Sequence, residues 1–219
     1  MNIIKGLILK DLLQLKSYLR TIIFYLFFFS IAIFGYAAED KTINTNLLVL
    51  LTLLFGMFAI SSFSYDATSK TDRYVLTLPT TKKEVVASKY LLTAISTLIG
   101  TFASLIINLI VSFWITRCLP NFYELITVAL SGAFGIAFAH AVQLPCIYKF
   151  GIEKGRIVAT LITLIIASSI ANILIFNITE NTINENIEKL LPFVFLISIF
   201  IFYYISYKIS CLIYEKKEV

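Results

Sequence analysis

The sequence predicts an all-α polytopic membrane protein with six transmembrane helices, an N-terminal interfacial helix and a short cytoplasmic helix between the second and third spans. Hydrophobic residues make up 59% of the chain and charged residues only 14%, with a mean hydropathy of +0.89. An ordinary soluble domain carries about 25% charged residues. Splitting the chain at its charges leaves six uncharged segments of at least 18 residues, each long enough to cross a bilayer as a helix.

The predicted spans leave no linker and no internal repeat that would mark a second domain, so one membrane domain is expected over residues 1–219. The spans lie at about residues 21–38, 45–65, 90–116, 123–148, 157–178 and 190–212. With the N-terminus inside, only Lys41, Arg117 and Lys189 of the 18 basic residues lie outside. This asymmetry predicts that both termini are cytoplasmic. The net charge of +5 is then explained by topology and by contact with membrane lipids, and it does not indicate nucleic-acid binding.

The first element, over about residues 1–19, mixes apolar and basic side chains. Its apolar residues follow a helical stripe of Ile4, Ile8, Leu12 and Leu15. Lys10 and Lys16 lie off this stripe, while Asp11 projects onto the apolar side. The pattern favours a helix on the cytoplasmic membrane surface, the alternative being a plain extension of the first span.

The longest loop, Asp66 to Lys89, holds five of the basic residues and separates the second span from the third. Thr81 and Glu84 have the spacing of a capping box, and Pro79 disfavours helix at Leu78, so a helix is predicted to begin near Thr81 and run into the third span. Its first turn would present Lys82 and Lys83. This pattern alone fits a surface on which another protein docks. It fits equally a helix that only begins with a stable cap at the membrane surface. The outer loops are too short to fold into a catalytic or receptor domain.

Four polar side chains lie deep in predicted spans: Asn108, His140, Gln143 and Asn172. They are candidates for lining a translocation path, and they could equally join helices by hydrogen bonds. His140 is either a proton-sensitive or substrate-contacting group, or a neutral imidazole bonded to another helix. With one histidine, no metal-ligand cluster and no acid inside the six uncharged segments, the chain is not predicted to be an enzyme.

The loop sequence resembles the first cytoplasmic loop of type-2 ATP-binding-cassette permeases, in the bacterial branch that exports bacteriocins, lantibiotics and toxic peptides. The matching positions are Asp66, Tyr74, Leu78, Pro79, Lys82, Lys83, Glu84, Lys89 and Tyr90. Two further stretches are similar: Lys10 and Asp11 near the N-terminus, and the segment from Lys149 to Arg156 between spans four and five.

The resemblance implies a six-span permease of the bacterial plasma membrane that pairs with a second copy or a sister permease. It also implies coupling to separate ATPase subunits through residues of the inner loops, here Asp66, Tyr74, Leu78, Pro79, Thr81, Lys82, Lys83, Glu84, Lys89, Gly151, Glu153 and Lys154. The chain contains no GxxxxGK[ST] phosphate loop, so it is expected to hold no cofactor, with ATP and Mg²⁺ bound by the partner ATPase.

The predicted function is therefore a permease that exports amphipathic or antimicrobial peptides. Two alternatives stay open on the sequence alone. A substrate-capture subunit of a small-molecule importer would hold a ligand tightly when purified by itself. A membrane protein that confers immunity by sequestering a toxic peptide would act without an ATPase.

Overall fold

The computed structural model describes residues 3–16, 24, 27, 28, 31, 35, 45–69, 80–115, 122–179 and 185–216. This part of the chain contains six long helices and no strand. They are α1 (Ile3–Lys16), α2 (Thr45–Thr68), α3 (Lys82–Ile115), α4 (Phe122–Phe150), α5 (Ile152–Thr179) and α6 (Glu185–Glu215). Helices α2 to α6 overlap the second to sixth predicted spans and extend beyond most of their bounds. The first predicted span, 21–38, lies largely outside the described residues.

Three segments in the described part of the chain are long and apolar enough to cross a membrane: Lys82–Trp114, Leu125–Phe150 and Leu196–Glu215. Large apolar side chains on them are exposed, among them Phe102 at 63%, Phe113 at 56% and Phe200 at 69%. Apolar surface of this extent is unfavourable in water and is stable against lipid. The all-helical membrane class is confirmed, and the count of six spans stays a prediction.

The chain forms two compact units, residues 1–136 and 137–219. In the first unit, α1, α2 and α3 pack against one another. Helix α3 is sharply two-sided, since its exposed side is apolar and its buried side carries a polar stripe. The stripe consists of Lys89, Thr93, Thr97, Ser104, Asn108 and Ser112. Hydroxyl groups of the stripe donate to carbonyls of α3 itself, for example Thr97 to Thr93 at 2.7 Å, so their burial leaves no donor unsatisfied.

Helix α2 crosses the first half of α4 at small residues. A Cβ atom on Gly56 would clash with Cγ1 of Ile136, and one on Gly132 would lie 3.1 Å from Oγ1 of Thr52. Such close approach is typical of helix pairs in membranes. The two contacts pair residues 52 with 132 and 56 with 136, so α2 and α4 run in the same direction. This is the arrangement expected when a single crossing, α3, lies between them.

In the second unit, α6 corrects a defect that Pro145 creates in α4. Proline has no N–H, so the carbonyl of Ala141 loses the partner that it would have four residues later. The Ser206 hydroxyl donates to this carbonyl at 2.6 Å. A neighbouring hydroxyl of this kind is what allows proline inside a membrane helix. The same pair of helices is packed by Phe138 against Phe202, with ring centroids 5.5 Å apart.

Candidate functional site

Four charged side chains from three helices meet where α2 ends and α3 begins. We call Lys10, Asp11, Asp66 and Lys89 the charged quartet. The Lys89 ammonium donates to Oδ1 of Asp11 at 3.0 Å, to Oδ2 of Asp66, and to the Ser62 hydroxyl at 3.1 Å. These contacts join α1, α2 and α3 through one nitrogen atom.

Lys10 completes the quartet from the α1 side. Its ammonium donates to Oδ1 of Asp66 at 2.8 Å and lies 3.2 Å from Oδ1 of Asp11. The Gln14 amide adds a longer bond to the same Asp66 oxygen at 3.4 Å. Each carboxylate therefore contacts both ammonium groups, and the two positive and two negative charges sum to zero.

The quartet is buried at its centre. The side chains of Asp11, Asp66 and Lys89 are 1%, 5% and 7% exposed, whereas that of Lys10 is 29% exposed. The ring of Phe63 covers the Lys89 ammonium, with 4.9 Å between nitrogen and ring centroid. Buried charges of this kind are tolerated only when they are paired, and removing one partner costs about 3–5 kcal/mol. Each member therefore depends on the other three.

The pKa values of Asp66 and Lys10 follow from these contacts. Burial works to raise the pKa of Asp66, but the charge of Lys89 and the hydrogen bonds from Lys10 and Lys89 outweigh it and hold the pKa below its ordinary value. Burial works to lower the pKa of Lys10, but its hydrogen bond to Asp66 and the charge of Asp11 raise the pKa above its ordinary value. Both side chains are charged at neutral pH.

The quartet also explains the position of Asp66 in its helix. Asp66 lies in the last turn of α2, where the partial negative charge of the helix C-terminus disfavours a carboxylate. Pairing with Lys10 and Lys89 offsets this unfavourable position. The acidic residue at this position is explained by its partners in α1 and α3, since it does not stabilise α2 itself.

The predicted capping box is present at the start of α3. The Thr81 amide donates to Oε2 of Glu84 at 2.8 Å, and the Glu84 amide donates to the Thr81 hydroxyl at 3.3 Å. Helix α3 then runs without a break from Lys82 to Ile115. No separate coupling helix is therefore described, because the capped turn is continuous with the third span. Lys83 is exposed in this turn, while Val86 is fully buried one turn before Lys89.

The side of α1 that packs inside the protein is not its apolar stripe, which the sequence predicts for a helix at the membrane surface. Asp11 and Leu7 face inward, whereas Leu12, a member of the expected apolar stripe, is 42% exposed. The reason is the quartet, since α1 is oriented by its ion pairs with α2 and α3 and not by its leucines. Ile4 and Leu15 have side chains outside the described residues.

The expected inner loop from Lys149 to Arg156 is not a loop. Helix α4 continues to Phe150 and α5 begins at Ile152, so Gly151 alone joins them. Its φ of +81° is one that other residues rarely adopt. A Cβ atom on Gly155 would lie 2.7 Å from the carbonyl oxygen of Cys146, which shows how closely α5 approaches α4. We call Gly151 and Gly155 the glycine joint.

The remaining predicted site residues are distributed as follows. Tyr74, Leu78 and Pro79 lie outside the described residues. Glu153 and Lys154 are exposed in the first turn of α5.

The candidate path residues are buried where the structure describes them. His140 and Gln143 lie one turn apart on α4, at 0% and 4% exposed. Asn108 is buried on α3 and accepts a hydrogen bond from Ser112 at 3.2 Å. Asn172 lies in α5, and its side chain is outside the described residues.

Two features of the structure are not predicted by the sequence analysis. The polar stripe of α3 is visible as hydroxyl and amide residues spaced mostly by four from Lys89 to Ser112, a signal that could have been found by plotting the helix face. The bond from Ser206 to Ala141 had only a partial signal, because Pro145 identifies the carbonyl that lacks a donor but not the residue that supplies one.

Comparison with known proteins gives one match. A search of curated proteins and a search of solved structures each found none. A family model described as ABC-2 family transporter protein matches residues 6–215, which include the quartet, the capped start of α3 and the glycine joint. Because this match covers nearly the whole chain, the protein belongs to the ABC-2 family of transporter proteins.

Proposed function

We propose that this chain is the permease subunit of an exporter in a bacterial plasma membrane, and that it moves amphipathic or antimicrobial peptides outward. The observation that carries the proposal is the charged quartet beside the capped start of α3. It joins the three helices nearest to the segment where an ATPase would dock. Both termini and this segment are cytoplasmic in the proposal.

Membership of the ABC-2 family supports the permease role and a partnership with ABC ATPase subunits, since permeases of this family lack ATPase activity themselves. The finer parts of the proposal are outward direction, a peptide substrate, and pairing with a second copy or sister permease. ATP and Mg²⁺ are assigned to the partner ATPase, and this chain is assigned no cofactor.

The proposed mechanism begins at the exposed first turn of α3. An ATPase that contacts Lys82, Lys83 and the cap formed by Thr81 and Glu84 would displace the end of a continuous helix. Lys89 lies two turns further along the same helix. Because its ammonium contacts both Asp11 and Asp66, a shift of α3 would alter the packing of α1 and α2 together.

Residues Tyr74, Leu78 and Pro79 are proposed to belong to the same docking surface. Gly151, Glu153 and Lys154 are proposed to form a smaller second contact with the ATPase. The exposed side chains of Glu153 and Lys154 suit a surface contact, while Gly151 would keep α4 and α5 close together. Among the buried polar groups, His140, Gln143, Asn108 and Asn172 stay candidates for the translocation path.

The test begins with purification of the chain from its native membrane together with its bound ATPase and any sister permease. The complex is reconstituted into inverted vesicles, and ATP-dependent accumulation of a fluorescent cationic amphipathic peptide is measured. Accumulation inside these vesicles supports outward transport. Accumulation only in right-side-out vesicles would indicate an importer, and peptide binding without any ATP dependence would indicate an immunity protein.

A further inference from the structure

The side of α1 opposite the quartet is apolar at its centre and basic at both ends. Leu9, Leu12 and Leu13 are 57%, 42% and 61% exposed, and Lys5 and Lys16 are also exposed. At 3.6 residues per turn these five side chains fall within an arc of about 100°. We call them the leucine–lysine face. No acidic residue lies on it.

The quartet fixes the orientation of this face. Leu7 and Asp11 are buried on the other side of α1, and Lys10 and Gln14 bond from that side to Asp66. Rotating α1 to bury its leucines would withdraw Asp11 from Lys89, leaving a buried ammonium with one carboxylate fewer. The leucine–lysine face is therefore presented outward by the structure.

The depth of α1 in the membrane follows from the positions of Trp114 and Lys89 along α3. Trp114 is 67% exposed near the far end of α3, as tryptophan is at a membrane interface. Lys89 lies about 37 Å from Trp114 at a rise of about 1.5 Å per residue, somewhat more than the hydrocarbon thickness of about 30 Å. Lys89 is thus at the opposite headgroup boundary, and Asp11, 3.0 Å from it, holds α1 at the same level.

We propose that the leucine–lysine face binds the surface of the cytoplasmic leaflet and selects anionic phospholipids. The three leucines would enter the acyl boundary, and Lys5 and Lys16 would contact lipid phosphates at the two ends of the helix. A second copy of the chain is a poor occupant, because pairing two such faces would bring lysines together without an acidic partner. The inference takes the cytoplasmic position of the termini from the proposed function, but it does not depend on the direction of transport or on its substrate.

The test uses tryptophan fluorescence, because Trp114 is the one tryptophan in the sequence. Leu13→Trp is made in a Trp114→Phe background, and Leu9→Trp serves as a second probe on the same face. The full chain is reconstituted into vesicles of equal parts phosphatidylcholine and phosphatidylglycerol, with bromine on the acyl chains of one lipid or the other. Strong quenching by brominated lipid, greater for phosphatidylglycerol, is expected.

Charge selection is tested by adding Lys5→Gln and Lys16→Gln to the probe variant. Each lysine near an anionic surface favours the anionic lipid by about fivefold, so the preference for phosphatidylglycerol should largely disappear while quenching by lipid persists. Lys208→Gln with Lys216→Gln is the matched control, since it removes the same charge from two exposed positions, one two turns before the end of α6 and one just after it. The control should leave the preference intact.

Three results would overturn the inference. Quenching by aqueous acrylamide and not by brominated lipid, at both probe positions, would show that the face is exposed to water. Weak quenching by both reagents would show that the face is covered by protein. Equal quenching by both brominated lipids, unchanged by the lysine substitutions, would show an apolar contact that does not select anionic headgroups.

Discussion

The α2–α3 region and the α4–α5 junction are held by different forces. In the first, side-chain charges far apart in sequence join three helices, since Lys89 and Asp11 are 78 positions apart. In the second, neighbouring backbone segments approach closely at Gly151 and Gly155, and the Ser206 hydroxyl replaces a missing backbone donor. Charge pairs can be broken and restored by substitution, whereas a backbone approach can only be obstructed.

Removing the central ammonium should have the largest effect. Lys89→Met leaves two buried carboxylates with Lys10 as their only cation in the quartet, so we expect a loss of about 3–5 kcal/mol in the free energy of unfolding. Denaturant titration in detergent micelles measures it. Adding Asp66→Asn removes the excess negative charge and should recover part of the loss. A double variant as unstable as the single variant would show that charge pairing does not hold this region.

Obstructing the glycine joint should come second. Gly155→Ala places a methyl group 2.7 Å from the Cys146 carbonyl oxygen and the Ile147 Cα, so the helices must separate. Overpacking of this kind costs about 1–3 kcal/mol. Gly6→Ala is the matched control, because nothing lies within 4 Å of its added Cβ. If the two alanine variants unfold at the same denaturant concentration, the close approach of α5 to α4 is not what stabilises this junction.

Removing the substitute donor should cost less. Ser206→Ala leaves the Ala141 carbonyl without its donor from α6, and interhelical bonds in membrane proteins contribute about 0.6–1.7 kcal/mol. In a Pro145→Ala background the restored N–H can bond to Ala141, so the same substitution should cost little. Unfolding measurements on the wild type, the two single variants and the double variant give the interaction energy between positions 145 and 206. An equal cost in both backgrounds would contradict the role assigned to Ser206.

The capping box should affect only the first turn of α3. Glu84→Ala removes the carboxylate that accepts from the Thr81 amide, so the turn should fray while the unfolding midpoint stays unchanged. Hydrogen exchange of the Thr81 amide should become several-fold faster, whereas the amides beyond Lys89 should keep their rates. A global change in exchange would mean that the cap supports the whole unit.

Acidification should have the smallest effect near neutral pH. Because the pKa of Asp66 is depressed in the folded protein, its contribution to stability is present above the ordinary Asp pKa of about 3.9 and is lost as pH falls through the lower folded value. For Lys10 the pKa is raised, so its contribution is lost only as pH rises through that value. Stability measured between about pH 5 and 8 should show no step caused by either group.

Much of the fold was accessible from the sequence, because uncharged segments and a capping box are local signals. The pattern at Thr81 and Glu84 predicted the start of α3 correctly. Lys10, Asp11, Asp66 and Lys89 were each singled out, yet their meeting was not predicted. It depends on how α1 lies against α2 and α3, which no local pattern specifies.

The prediction of an inner loop at the glycine joint is wrong for a related reason. Glycines and charges from Lys149 to Arg156 are typical of a loop. In the structure, Gly151 with its positive φ is the one residue between α4 and α5. The consequence of Gly155 depends on the backbone of α4, which the sequence around Gly155 does not show.

In the proposed mechanism, force from an ATPase enters through the capped start of α3 and reaches the charged quartet. The most direct measurement is the number of ATP molecules hydrolysed per peptide transported by the reconstituted complex, for wild type, Glu84→Ala and Glu153→Ala. We expect this ratio to rise several-fold in Glu84→Ala, with normal membrane insertion, and to rise less in Glu153→Ala, which alters the smaller second contact. An unchanged ratio in Glu84→Ala, or a larger rise in Glu153→Ala, would contradict this mechanism.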